Sequence, residues 1–104
     1  MQVNITPNFF TEKGLLSLSK QMSPDTMLSV WVHMNIPVSQ YETLRQTYGN
    51  TTLGNLKILQ TALDQQSQNS KLRLILEALK EAGEEELAEK VEYLHSNKQP
   101  LHTI

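Results

Sequence analysis

The sequence predicts an all-α domain in which about six short helices share one core. Apolar residues recur every three to four positions in successive segments, which is the spacing of one face of an α-helix. Residues that typically begin or end helices separate these segments, among them Ser23, Pro37, Gly49 and Gly83. Because only one face of each helix is apolar, the helices must pack against one another to bury those faces.

Length and composition limit the possible classes of protein. The chain has 104 residues, a net charge of −2 and no cysteine, so it fits one domain without disulfides or thiolate metal ligands. The charge balance gives no general attraction to a phosphate backbone. No apolar run reaches the roughly 20 residues of a membrane span, and the first ten residues do not resemble a signal peptide. We therefore expect a cytoplasmic protein that does not insert into membranes.

The N-terminal part predicts a lead-in segment followed by a first helix. Residues 1–10 form the lead-in, since Pro7 interrupts any regular element. From Thr11 onward, helical spacing relates Leu15, Leu18 and Met22. We expect these three side chains to face the core.

A second helix is predicted to begin after Ser23. Ser23 can cap it, Pro24 suits its first position, and the charge of Asp25 complements the positive end of the helix dipole. The helix should end before Pro37. Its apolar stripe consists of Met27, Val30, Trp31 and Met34, which predicts that the single tryptophan packs in the core.

Two further helices are predicted between residues 39 and 66. Ser39 and Glu42 have the spacing of a capping box, and Gly49 can adopt the left-handed conformation that closes a helix. The apolar positions of this third helix are Tyr41, Leu44 and Tyr48. The fourth helix has its apolar stripe at Leu53, Leu56, Leu59 or Gln60, and Leu63.

Residues 71–94 predict two helices that meet at a corner. Ser70 can cap the first of them, and the step from Leu79 to Leu87 rotates the apolar face by roughly 80°. A coiled coil keeps its seam within roughly 20° per heptad. The rotation occurs at Gly83, and the three glutamates that follow suit a helix N-terminus. We place the helical domain at residues 11–95 and a polar C-terminal tail, expected to fray, at residues 96–104.

The residue pattern does not predict an enzyme. His33, His95 and His102 lack the spacing of metal ligands. The four glycines are isolated and do not form a phosphate-binding loop. The acidic run at residues 84–92 is better explained as a solvated start of a helix than as a general acid. We therefore expect no catalytic residue, no metal and no cofactor.

The chain from about Thr11 to Leu94 resembles a death domain. The stretch MNIPVSQYETLRQ is similar to the Leu-Gly-Leu turn and third helix of that family, and LRLILEALKEAGEEELAEKV is similar to its last two helices. The corresponding core positions are Leu72, Leu76 and Leu79 in the fifth helix and Leu87, Ala88 and Val91 in the sixth. The family often has a tryptophan near the position of Thr26 or Met27, whereas Trp31 lies one turn later. The subfamily is therefore left open.

The resemblance implies a six-helix antiparallel Greek-key bundle that binds other death-fold domains, homotypically or heterotypically, as an adaptor in apoptotic or innate-immune signalling. In that family, exposed charges on the first and fourth helices typically meet exposed charges on the second and third. The partner-binding residues that this implies are Lys13, Asp25, Glu42, Arg45, Lys57 and Arg73. We expect the isolated domain to be monomeric and to become oligomeric in signalling assemblies.

Three alternatives stay open from the sequence. The chain can be a caspase-recruitment or death-effector relative of the same superfamily. It can be a helical nucleic-acid binder, although from residue 71 onward five basic residues stand against seven acidic ones, and a recognition helix should be basic. It can also be a regulatory subunit of an enzyme complex, which would show an exposed apolar patch.

Overall fold

The computed structural model describes residues 8–104, and in that range every regular element is a helix. There are six α-helices and a short 3-10 helix at the C-terminus. Their bounds are α1 Glu12–Lys20, α2 Pro24–His33, α3 Val38–Tyr48, α4 Thr52–Asp64, α5 Lys71–Glu81, α6 Glu85–Ser96 and the 3-10 helix Leu101–Thr103. The prediction of an all-α fold is confirmed. None of the helices between residues 8 and 104 has the length and hydropathy needed to cross a membrane.

Three helices begin with a hydroxyl side chain that accepts a hydrogen bond from the first turn. The Ser23 hydroxyl accepts from the Thr26 amide at 3.1 Å, with Pro24 as the first helical residue, so the predicted start of α2 is confirmed. Thr11 caps α1 and Thr51 caps α4 in the same way, each at 3.0 Å. Such caps are each worth about 1 kcal/mol.

Two predicted caps are wrong. Helix α3 begins at Val38 with Pro37 in the capping position, so Ser39 already lies inside the helix and cannot form a capping box with Glu42. The fixed φ angle of Pro37 is compatible with the capping position, and the helix begins two residues earlier than predicted. Ser70 does precede α5, but its hydroxyl pairs with that of Ser67 at 2.8 Å instead of an amide of α5.

The corner between α5 and α6 is closed by a glycine, as predicted. Gly83 has a φ of +83°, in the left-handed region that an L side chain rarely adopts. Its amide donates to the Lys80 carbonyl at 3.0 Å, and the Glu84 amide donates to the Leu79 carbonyl at 2.8 Å. This pair of bonds is a Schellman motif. Glu85 and Glu86 follow in the first turn of α6, so residues 71–94 form two helices.

The core is built from pairs of adjacent helices, in which α4 contacts α1 and α3, and α5 contacts α2 and α6. Trp31 is fully buried, and its indole N–H donates to the Pro37 carbonyl at 3.0 Å. The Tyr41 ring packs edge-on against the indole, with 5.8 Å between ring centroids. The prediction that Trp31 lies in the core is therefore confirmed. The radius of gyration, 13.6 Å, matches the roughly 13 Å of a compact 100-residue domain.

The apolar stripes of α5 and α6 mostly face this core. Leu79, Leu87, Ala88 and Val91 are buried, while Leu72 and Leu76 are partly buried. In α4 the prediction is wrong at its first position, because Leu53 is 50% exposed. The predicted positions Leu59 and Leu63 are buried, together with Ile58 and Ala62.

The C-terminal segment is packed, so the prediction that it frays is wrong. Leu101, in the 3-10 helix, is only 1% exposed. The 3-10 helix lies on α1, where a Cβ atom added at Gly14 would meet the Leu101 Cβ at 2.8 Å. At the other end, Phe10 is buried, and the Phe9 ring packs edge-on against His95 with 5.0 Å between centroids. The core thus extends beyond residues 11–95, and residues 1–7 lie outside the described range.

Candidate docking surface

Two of the predicted contact residues are lysines on adjacent helices. Lys13 lies exposed on α1 and Lys57 lies half-buried on α4. These two helices pack together along their length, and the Gln60 side-chain amide donates to the Glu12 carboxylate across them at 3.2 Å. We call Lys13 and Lys57 the lysine face.

Two others are carboxylates on α2 and α3. Asp25 and Glu42 are both exposed. The Tyr41 hydroxyl donates to the Pro24 carbonyl at 3.4 Å, so the residue before Glu42 in the chain touches the residue before Asp25. Helices α2 and α3 are in contact, and we call Asp25 and Glu42 together the acidic face.

Arg45 is not a free surface charge. Its Nε donates to the Tyr41 hydroxyl at 3.1 Å, and its Nη1 donates to the Gly49 carbonyl at 3.1 Å and to the Asn55 side-chain oxygen at 2.9 Å. The guanidinium also lies 5.2 Å from the centre of the Tyr41 ring. The expectation that Arg45 is exposed is wrong, because these bonds hold it at the α3–α4 corner. Its Nη2 is buried with no hydrogen-bond partner among the described residues.

Arg73 lies apart from both faces. It is exposed on α5, and its guanidinium lies 3.5 Å from the carboxylate of Glu77, one turn along the same helix. An exposed pair of this kind contributes about 0.3–0.5 kcal/mol. The structure therefore leaves Arg73 available to solvent but does not group it with the other predicted residues.

A shallow groove between α2 and α5 was missed by the sequence reasoning. It is lined by Leu28, Ser29, Val32, His33 and Glu81, with a volume of about 410 Å³. We call it the α2–α5 groove. Leu28 is 37% exposed and Val32 is 50% exposed. The signal that was available is that these two aliphatic residues lie four positions apart and outside the predicted apolar stripe of α2.

A second feature that the sequence did not indicate connects α2 to the α5–α6 corner. The Thr26 hydroxyl, which is buried, donates to the Glu84 carboxylate at 2.9 Å and accepts from the Ser23 hydroxyl at 3.1 Å. Residues 26 and 84 are far apart in sequence, so no local pattern pairs them. The bond fixes the start of α2 against the corner and so helps to set where the acidic face lies.

The surface presents charged groups and exposed aliphatic side chains to a binding partner. The part of the chain that the structure describes has no cluster of three or more side chains able to hold a metal ion. What it presents is a lysine face on α1 and α4, an acidic face on α2 and α3, and an apolar groove between α2 and α5. Such features suit recognition of another macromolecule.

Comparison with known proteins gives no match to a protein-family model, to a curated protein or to a solved structure.

Proposed function

We propose that the chain is a non-catalytic interaction module of the death-domain type, which docks with other death-fold domains in apoptotic or innate-immune signalling. The proposal includes the antiparallel Greek-key order of the six helices. It rests on the resemblance of residues 11–94 to that family and on one structural observation in particular. The lysine face and the acidic face carry opposite charge and lie on different pairs of helices, α1 with α4 and α2 with α3.

Opposite charges on separate helix pairs allow one copy to present lysines to the carboxylates of the next domain. Complementary charge raises the rate of association and fixes the orientation of the partner more than it raises affinity. Each exposed pair contributes only about 0.2–1 kcal/mol, so docking through these residues is weak for a single pair of domains. Signalling assemblies overcome such weakness by making many contacts at once.

The test uses two double variants, Lys13→Glu with Lys57→Glu and Asp25→Lys with Glu42→Lys. Each is assayed for binding to a panel of immobilised, purified death-fold domains. We expect wild-type protein to bind at least one of them and either double variant to bind it about fivefold or more weakly. The matched control is Lys90→Glu, an exposed lysine on α6, which should bind as the wild type does. Arg45 is left unchanged because its reversal would disturb the fold.

Two outcomes would contradict the proposal. The first is that wild-type protein binds none of the domains. The second is that both double variants bind as tightly as the control. A nucleic-acid binder would be recognised separately, by titrating labelled duplex at two salt concentrations, since its affinity must fall steeply with salt.

A second candidate function is favoured by the α2–α5 groove. A regulatory subunit that binds an enzyme or another protein through an apolar surface would expose aliphatic side chains, as Leu28 and Val32 are exposed here. Binding to a given partner is measured for Val32→Asp and for the charge variants. Loss of binding with Val32→Asp indicates the apolar regulatory surface, and loss with the charge variants indicates death-fold docking.

A further inference from the structure

The outer side of α2 carries two aliphatic side chains that the domain leaves partly exposed. Met27, Val30 and Trp31 occupy the core side of this helix. Leu28 and Val32 lie on the other side, four residues apart, with exposed fractions of 37% and 50%. Residues at this spacing lie one above the other, about 6 Å apart along the helix axis. They form a short apolar ridge that runs along the α2–α5 groove.

One side of the groove carries a carboxylate. Glu81 lines it directly, and Glu77 lies one turn earlier on α5 with its carboxylate 3.9 Å from the His33 imidazole. None of the five residues that line the groove is a lysine or an arginine. The nearest guanidinium identified on α5 is that of Arg73, which is associated with Glu77 at 3.5 Å. The groove therefore combines an aliphatic floor with a carboxylate at one side.

We infer that the α2–α5 groove binds an amphipathic helix of a partner protein, with apolar residues three to four positions apart and lysine or arginine along one flank. A helix laid along α2 brings its own apolar side chains onto Leu28 and Val32, which is the usual mode of helix-in-groove recognition. Its basic flank then lies beside Glu81. A second copy of this chain fits less well, because two copies facing each other through this groove would bring their own carboxylates together.

This inference goes beyond the proposed death-fold docking, because it concerns a different surface and a linear partner instead of a folded death-fold domain. It uses the groove that favours the second candidate function and adds the chemical class of the partner. The probe is a designed 18-residue alanine-based helical peptide with leucines at i, i+4 and i+7 and lysines on one flank. Its twin has glutamate in place of each lysine. Titration calorimetry measures affinity, and amide chemical shifts of the labelled protein locate the bound peptide.

We expect the lysine peptide to bind with shifts centred on Leu28 and Val32, and the glutamate twin to bind about fivefold or more weakly. Val32→Asp should weaken the lysine peptide about tenfold, since it removes an apolar contact. Leu53→Asp is the matched control, because Leu53 is an aliphatic residue with the same exposed fraction on α4. Glu81→Lys should reverse the preference, so that the glutamate twin binds more tightly than the lysine peptide.

Three results would overturn the inference: equal binding of the two peptides, equal weakening by Val32→Asp and Leu53→Asp, or dimers of the free protein that Val32→Asp dissociates. The last result would assign the groove to a second copy. The lysine-face and acidic-face double variants should keep full affinity for the peptide. Failure of peptide binding therefore leaves the death-fold docking result unaffected, and the converse also holds.

Discussion

At the scale of single residues, Arg45 shows how a charged side chain can be structural. Its guanidinium donates to three oxygen atoms that belong to Tyr41, Gly49 and Asn55. Tyr41 lies in α3, Gly49 directly follows α3, and Asn55 lies in α4. One side chain therefore links the two helices. Hydrogen bonds from charged donors are worth about 1.5–3 kcal/mol each when a partner is removed.

We predict that Arg45→Met lowers the free energy of unfolding by about 2 kcal/mol, because methionine keeps much of the apolar stem but donates no hydrogen bond. Arg73→Met is the control, since that arginine is exposed and makes only one long contact with Glu77. Its effect should stay within about 0.5 kcal/mol. Urea unfolding followed by circular dichroism measures both. Equal effects of the two substitutions would show that the Arg45 bonds do not hold the corner.

The role of Arg45 could not be predicted from the sequence, and the reason is physical. A pattern of apolar spacing shows which side of a helix faces the core, but a hydrogen bond to Asn55 depends on how α3 and α4 meet. Gly54 is a similar case. In the sequence it weakens the start of α4, whereas in the structure a Cβ at this position would lie 2.6 Å from the Gly49 carbonyl oxygen. The glycine allows the α3–α4 corner to close.

At the scale of helices, local signals predicted most starts and ends. Ser23 with Pro24, and Gly83 with the glutamates after it, act through backbone groups within a few residues, so the sequence is sufficient. The capping box at Ser39 failed because Pro37 takes the capping position, two residues earlier in the chain. The C-terminal 3-10 helix was missed because it is only one turn long, and the burial of its apolar residue Leu101 depends on distant α1.

We predict that Leu101→Ala lowers the free energy of unfolding by about 3 kcal/mol, since it leaves a cavity between the C-terminal 3-10 helix and α1. His102→Ala, the neighbouring exposed position, should change it by no more than about 0.5 kcal/mol. Thermal and urea unfolding provide the measurement. A loss below about 1 kcal/mol for Leu101→Ala would mean that the segment contributes little to the stability of the core.

At the scale of the whole molecule, the number of helices and the all-α class could be predicted from the sequence, because the apolar spacing of each helix lies within its own segment. Which helices become neighbours did not follow. The contacts of α4 with α1 and of α5 with α2 join segments far apart in the chain. The candidate docking surface shows the same limit. The six charged residues could be chosen from the sequence, but the grouping of four of them into a lysine face and an acidic face, and the structural role of Arg45, depend on the packing.

We predict that the isolated domain is monomeric at ordinary salt, with a mass near 11.9 kDa by light scattering. The contacts available to homotypic docking are exposed charges, and salt screens these. The exposed aliphatic side chains include Leu28 and Val32 on α2, Val38 on α3 and Leu53 on α4, which leaves no helix with a long apolar stripe facing solvent. Spontaneous filaments or a stable dimer under these conditions would contradict the prediction.

The packing of Leu101 on α1 and of Phe9 on His95 affects how the domain can be connected to another protein chain. Residues near both ends of the described chain lie on α6, because Phe9 packs on His95 while Thr103 and Ile104 line a pocket with Tyr93 and Leu94. A domain whose entry and exit converge can be spliced into a surface loop of a host protein, or circularly permuted with a short linker, while its helices keep their places.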